Sequence, residues 1–216
     1  MENRLIVFDL DGTLIDSAGG IAESVNRTRR GFGLPELPVE LILTFVGDGA
    51  KKLAERAFSG TSLPVPLEDA VGIMVRHYAD APLFQTSLYP GVADGLAAMR
   101  RAGWITAVVS NKPQIVGEKI LSGLGIRELL CDNIGGGSGF PLKPAPDALL
   151  YLLDQYGANP ADSFVAGDNH TDMHAAANAG MRGIFCRYGF GRKNDAPAFA
   201  EADSFPELTD FLLDLR

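Results

Sequence analysis

Cysteine and basic residues are scarce in this chain of 216 residues, and long apolar runs are missing. The two cysteines, Cys131 and Cys186, have no metal-ligand spacing, which favours buried reduced thiols over a metal site. Lysine and arginine number 19 against 27 acidic residues, which argues against nucleic acid or an anionic membrane as a partner. No apolar run could span a bilayer, and the N-terminus lacks the layout of a signal peptide. We therefore expect a cytoplasmic protein.

Short apolar runs that alternate with helical patterns are the main feature that is present. The runs lack polar alternation, which is typical of strands covered on both faces. Each helical pattern between them ends at a glycine, a common helix C-cap. This order predicts an α/β fold with a parallel sheet and right-handed crossovers. The predicted strands are residues 5–8, 105–110, 163–168 and 183–186.

The segment 17–86 breaks this alternation, because it contains no convincing buried strand. Residues 22–33, 49–58 and 67–80 have the spacing of amphipathic helices. We therefore predict a helical insertion after the first strand. The glycines and prolines of residues 135–146 predict a loop in the remaining part of the chain.

Polar side chains follow three of the predicted strands, at the sheet edge where parallel α/β folds bind ligands. Any one of them could merely cap a helix or turn, as Asp168 or Thr171 could. Four carboxylates in one place, however, require positive charge, and Mg²⁺ prefers carboxylate and phosphate oxygens. The set therefore predicts a magnesium site that draws in a phosphate group. Its members are Asp9, Asp11, Gly12, Thr13, Ser110, Asn111, Lys112, Gly167, Asp168 and Asp172, with Lys143 in the preceding loop.

Four ordered motifs, DLDGT at 9–13, VVSN at 108–111, LKPAPD at 142–147 and GDNHTD at 167–172, resemble those of the haloacid dehalogenase-like (HAD) superfamily. Within it, VGDGA, SNKP, IGGG and KPAPD are most similar to bacterial phosphoglycolate phosphatases. The resemblance implies a Rossmann-like core with helices on both faces, formed by residues 1–16 and 87–216. It also implies that residues 17–86 form a small all-helical cap domain.

The resemblance implies a catalytic role for four side chains. Asp9 would be the nucleophile that forms an aspartyl-phosphate, and Asp11 the general acid and base. Ser110 would bond a phosphoryl oxygen with help from Asn111. Lys143 would neutralise charge on the nucleophile and the phosphoryl group.

The resemblance also implies the metal and substrate ligands. Mg²⁺ would be held by Asp9, the backbone carbonyl of Asp11, and Asp168, with Asp172 as a direct or outer-shell ligand. The phosphate and the rest of the substrate would meet the Asp9 turn and a specificity loop in the cap. The residues implied there are Gly12, Thr13, Gly47, Asp48 and Gly49.

The implied activity is a Mg²⁺-dependent phosphatase acting on a small phosphorylated metabolite, with 2-phosphoglycolate favoured. A phosphatase for a sugar phosphate, nucleotide or pyrophosphate, and a β-phosphoglucomutase-like mutase, remain alternatives. A catalytically silent binding protein is disfavoured because the motif residues are intact. Asp48 stands where phosphoglycolate phosphatases often carry a neutral polar residue. An aspartate facing the substrate would repel its carboxylate unless a nearby cation compensates. The alternative is that Asp48 is the N-cap of a helix. The assembly could be a monomer or a homodimer.

Overall fold

The computed structural model describes residues 3–215. Its strands are β1 (Arg4–Phe8), β2 (Ile15–Asp16), β3 (Ser87–Leu88), β4 (Trp104–Pro113), β5 (Asp132–Gly136), β6 (Phe164–Gly167), β7 (Arg182–Cys186) and β8 (Ala200–Ala202). Six of them form one sheet in the order β5–β4–β1–β6–β7–β8, and every neighbouring pair is parallel. The predicted α/β fold with a parallel sheet is therefore confirmed.

The helices are α1 (Ala18–Gly31), α2 (Val39–Leu43), α3 (Ala50–Ala57), α4 (Leu67–Asp80), α5 (Val92–Arg101), α6 (Gln114–Gly123), α7 (Asp147–Tyr156), α8 (His170–Asn178) and α9 (Phe205–Asp214). The predicted terminating glycines follow α5, α6, α7 and α8, and all have positive φ angles: Gly103, Gly125, Gly157 and Gly180. Within residues 3–215, none of the helices is both long and apolar enough to cross a membrane.

The central strand β1 is buried on both faces, as its uninterrupted apolar sequence predicts. Leu5 and Val7 pack into one hydrophobic cluster, with side chains from α7 and α8. Ile6 and Phe8 pack into a second cluster on the opposite face, with side chains from α5, α6 and α9. Helices therefore cover both faces of the sheet. This packing fixes the position of β1 and of the residues that follow its carboxyl end.

Helices α1 to α4 lie between β2 and β3, which pair antiparallel as a short ribbon. Ile15 faces Leu88 and Asp16 faces Ser87 in this ribbon. We propose that the ribbon marks the boundary between a core of residues 1–16 and 87–216 and a helical cap of residues 17–86. The short helix α2 was not predicted from the sequence.

Strand β5 corrects the predicted loop at 135–146, because Gly135 and Gly136 belong to the strand. A Cβ on Gly135 would lie 2.7 Å from the Cα of Gln114, so this glycine permits close backbone packing. Strand β8 and helix α9 were also not predicted. Of the two predicted buried thiols, Cys186 is buried but Cys131 is exposed.

Candidate active site

The carboxyl ends of β1, β4 and β6 open into one cleft of about 770 Å³, including its mouth. Asp9 follows β1, Ser110 lies near the end of β4, and Asp168 follows β6. Asp11 and Lys143 also line the cleft. The structure thus brings together these five predicted residues at the edge where the sequence places them.

Asp9 and Lys143 form a buried ion pair, with 2.8 Å between Nζ and Oδ1. Lys143 Nζ also lies 2.6 Å from Asp172 Oδ1 and donates to the Val109 carbonyl at 2.6 Å. Burial raises the pKa of Asp9 to about 6; Asp172 and Asp11 add to this rise, while Lys143 opposes it. Burial lowers the pKa of Lys143, but the carboxylates of Asp172 and Asp9 outweigh it, so the net direction is upward.

Three buried carboxylates, from Asp9, Asp168 and Asp172, each offer an oxygen within 4.8 Å of the others. Burial, followed by the charges of Asp9 and Asp172, raises the pKa of Asp168 well above its usual range. Hard divalent cations prefer such oxygen ligands, and a cation would relieve the repulsion among them. The triad therefore fits a divalent metal ion, with Lys143 as the cation already in place.

Asp172 has a second role at the start of α8. Asn169 is the N-cap of this helix and accepts the N–H of Thr171, while Asp172 Oδ2 accepts the N–H of Asn169 at 3.0 Å. The capping role considered for Asp168 or Thr171 is therefore filled by Asn169. Asp172 also contacts Lys143 through Oδ1, so each of its two carboxylate oxygens has a contact that holds the side chain in position.

The sequence places Lys112 at the same sheet edge without indicating a role for it, and the structure shows its contacts in the cleft. Its Nζ lies 2.8 Å and 3.1 Å from the two oxygens of Asp11, and 4.0 Å from the centre of the Tyr78 ring on α4. Burial lowers the pKa of Lys112, but Asp11 and Tyr78 outweigh it, so the pKa rises. A second donor, Ser17 Oγ, reaches Asp11 Oδ1 at 2.5 Å. Side chains two apart in a strand share a face, so the spacing of Ser110 and Lys112 was the signal available.

Asn111 ties three segments together. Its Nδ2 donates to the carbonyls of Gly47 at 2.8 Å and Lys143 at 2.9 Å, and its Oδ1 accepts the N–H of Lys143 at 2.8 Å. The side-chain amide predicted to help with phosphate is therefore engaged with protein backbone. Asn111 instead positions Lys143 and links the site to the loop before α3.

Gly12 and Thr13 support the site from behind the cleft. The Gly12 N–H donates to the Ile15 carbonyl at 2.9 Å, and the Thr13 N–H donates to the Leu10 carbonyl at 3.3 Å. The backbone N–H groups of these two predicted phosphate-binding residues are therefore occupied by hydrogen bonds within the turn. Gly12 has a φ of +80°, and a Cβ there would lie 1.9 Å from Asp168 Oδ2. The glycine is required so that Asp168 can approach the turn.

The predicted specificity loop reaches the cleft through its glycines. Gly47 and Gly49 line the cleft, whereas Asp48 pairs with Arg56 at 2.6 Å and is not a lining residue. The N-cap of α3 is Gly49, so the N-cap role considered for Asp48 is corrected. Arg56 neutralises the aspartate that raised doubt about an anionic substrate.

A loop after β7 completes the wall around Asp168. The Gly191 N–H donates to Asp168 Oδ2 at 2.7 Å, and a Cβ on Gly189 would lie 2.4 Å from the same oxygen. Tyr188 Oη donates to the Thr13 carbonyl at 2.9 Å. The two glycines in the stretch YGFGR at 188–192 are the feature of the sequence that could have indicated this loop, and they permit close contact with Asp168.

Comparisons with known proteins agree with this arrangement. Residues 3–180 match the family model described as haloacid dehalogenase-like hydrolase. A phosphoglycolate phosphatase of Colwellia psychrerythraea is 33% identical over 221 residues, covering 100% of this chain and 98% of the relative. One of Mannheimia succiniciproducens is 37% identical over 196 residues, 87% of each protein. A crystal structure of a predicted phosphoglycolate phosphatase from Haemophilus somnus superposes with a TM-score of 0.90 at 29% identity, covering 98% of each chain. The chain therefore belongs to the haloacid dehalogenase-like hydrolases and is an enzyme similar to the phosphoglycolate phosphatases.

Proposed function

We propose that the enzyme is a Mg²⁺-dependent phosphatase that hydrolyses 2-phosphoglycolate through an aspartyl-phosphate on Asp9. The observation that carries the proposal is the position of Asp9 between Lys143 and the carboxylates of Asp168 and Asp172. That position suits a nucleophile whose charge must be shielded while it attacks an anionic phosphorus centre. The similarity to relatives named phosphoglycolate phosphatase supports the choice of substrate.

In the first step, Asp9 attacks phosphorus and the bond to the leaving oxygen breaks. Asp11 gives its proton to that oxygen, so the alcohol leaves neutral. In the second step, Asp11 takes a proton from water, and the resulting hydroxide attacks the phosphorus of the aspartyl-phosphate. Inorganic phosphate leaves, and Asp9 is regenerated as a carboxylate. The contacts of Asp11 with Lys112 and Ser17 orient it for both transfers.

Mg²⁺ bound by Asp9, Asp168, Asp172 and the carbonyl of Asp11 would supply positive charge against the phosphoryl oxygens. Ser110 Oγ lies at the cleft wall, where it can donate to a phosphoryl oxygen. Lys143 holds the nucleophile in place and shields its charge. Gly47 and Gly49 bring the proposed cap to the cleft, where closure would exclude water from the aspartyl-phosphate.

The experiment is phosphate release from a substrate panel, with Mg²⁺ and with EDTA, beside Asp9→Asn. The panel contains 2-phosphoglycolate, glucose and ribose phosphates, pyrophosphate and nucleoside monophosphates. We expect 2-phosphoglycolate to have the highest kcat/KM, and both EDTA and Asp9→Asn to abolish release. A different best substrate would keep the phosphatase and reject 2-phosphoglycolate. Release by Asp9→Asn at the rate of the unmodified enzyme would reject the mechanism.

A further inference from the structure

Positive charge in the cleft comes from two buried lysines, among the described residues that line it. Lys143 is already engaged, because its Nζ donates to Asp9 and to the carbonyl of Val109 and forms an ion pair with Asp172. Two of its three N–H donors are used in hydrogen bonds to Asp9 and Val109, and its charge is shared between two carboxylates, so Lys143 is committed to the nucleophile rather than to the organic part of a substrate.

Lys112 is differently placed. Its Nζ contacts the two oxygens of a single carboxylate, Asp11, and otherwise faces the Tyr78 ring. The side chain is only 3% exposed, so an anion that reached it would meet the charge away from bulk water. The neighbouring walls of the cleft are largely apolar; they include Ile21, Val46, Leu53, Met74 and Val116.

The chemistry of 2-phosphoglycolate places its second anion close to Asp11. A single methylene joins the leaving oxygen to the carboxylate carbon, so the carboxylate must bind beside the group that protonates that oxygen. Lys112 is in contact with Asp11 on the side lined by Tyr78. Asp48, the acidic residue of the nearby loop, does not line the cleft and is paired with Arg56.

We propose that Lys112 is the specificity-determining residue that binds the carboxylate of the substrate, between Asp11 and Tyr78. This inference rests on the proposed function, because it assumes that Asp11 serves the leaving oxygen. It assigns the enzyme a preference for phosphate esters in which a carboxylate is bonded directly to the ester methylene. The ring of Tyr78 would cover the pair from α4.

The test compares two esters that share the phosphate and the ester methylene, 2-phosphoglycolate and ethyl phosphate, in which a methyl group replaces the carboxylate. The measured quantity is the ratio of their kcat/KM values in the unmodified enzyme, in Lys112→Met and in Lys52→Met. Lys52 is an exposed lysine on α3 and serves as the matched control. A hydrogen-bonded charge pair is worth about 10- to 100-fold, so we expect Lys112→Met to lower the ratio by that factor. Lys52→Met should leave the ratio unchanged.

The ratio separates substrate binding from support of Asp11, because loss of the Asp11 contact affects both esters alike. An equal fall for both esters would overturn the proposal and leave Lys112 as a positioning residue. A ratio near one in the unmodified enzyme would also overturn it while leaving the phosphatase intact. Absence of turnover with both esters would instead reject the proposed function.

If Lys112→Met does not fold, a second measurement tests the proposal on a protein that keeps Lys112. A crystal structure of Asp9→Asn with 2-phosphoglycolate and Mg²⁺ should place a carboxylate oxygen within about 3 Å of Lys112 Nζ. A carboxylate bound instead at the backbone N–H groups of the α3 N-terminus would overturn the proposal.

Discussion

Replacing Asp9 by asparagine is expected to abolish turnover and yet to stabilise the metal-free protein at neutral pH. In the folded protein the pKa of Asp9 is raised from 3.8 to about 6, chiefly by burial. A raised carboxyl pKa means that the fold prefers the protonated form. The contribution of Asp9 to stability is therefore full below about pH 4 and is lost as the pH rises through about 6.

The size of the effect follows from the same values. At about 1.4 kcal/mol per pKa unit, the ionised Asp9 lowers the free energy of unfolding by about 3 kcal/mol above pH 7. This value already includes the attraction of Lys143. Asparagine has nearly the same shape and no charge, and Lys143 keeps its contacts with Asp172 and Val109. For a chain of this length, about 3 kcal/mol corresponds to a rise in Tm of roughly 6–12 °C.

The assay is thermal and urea unfolding in EDTA between pH 4.5 and 8.5, with Asp210→Asn as a control for an exposed carboxylate on α9. The advantage of Asp9→Asn should be small at the acidic end and grow as the pH rises through 6. Saturating Mg²⁺ should reverse the order, because only the unmodified protein keeps the full ligand set. Metal-free Asp9→Asn that is less stable than the unmodified protein at pH 7.5 would refute the reasoning.

Three further substitutions test the support of the site. Gly12→Ala should lower kcat/KM by about 100-fold and weaken Mg²⁺ binding, because its Cβ would displace Asp168; unchanged metal titrations would contradict this. Asn111→Ala should lower both kcat and the free energy of unfolding, the latter by about 1–3 kcal/mol, since three hydrogen bonds are lost; an unaltered urea midpoint would count against it. Asp48→Asn should change stability by less than about 1 kcal/mol and leave kcat/KM nearly unchanged, because its pair with Arg56 is partly exposed. A large gain with 2-phosphoglycolate would place the Asp48 charge in the site.

The sequence was sufficient to predict the edge of the sheet at which the polar residues meet. Uninterrupted apolar runs identify strands buried on both faces, and parallel strands share a carboxyl edge, so Asp9, Ser110 and Asp168 had to converge. Short strands at the periphery could not be found in this way. Strand β5 has a single buried apolar residue, Ile134, between Asn133 and two glycines, so it lacks the apolar run that identifies the other strands.

The partners of individual site residues were harder to predict than their positions. Asn111 follows Ser110 and stands where a phosphate ligand is expected, yet its amide bonds to Gly47 and Lys143, which lie far from it in sequence. Lys112 is paired with Asp11 across 101 positions of the chain. Such contacts depend on the relative placement of separate elements, which local periodicity does not specify.

The charge of the assembled site explains why metal and substrate should bind in order. With all four acids ionised, its carboxylates and two ammonium groups leave a formal charge of two negative units, in a cleft where burial raises the pKa of two of the acids. A phosphate ester dianion entering this cleft would be repelled, whereas one divalent cation makes the site neutral before the ester arrives. Substrate affinity should therefore depend on the metal even in Asp11→Asn, where the proton transfer is disabled. The charged residues concerned are Asp9, Asp11, Asp168, Asp172, Lys112 and Lys143.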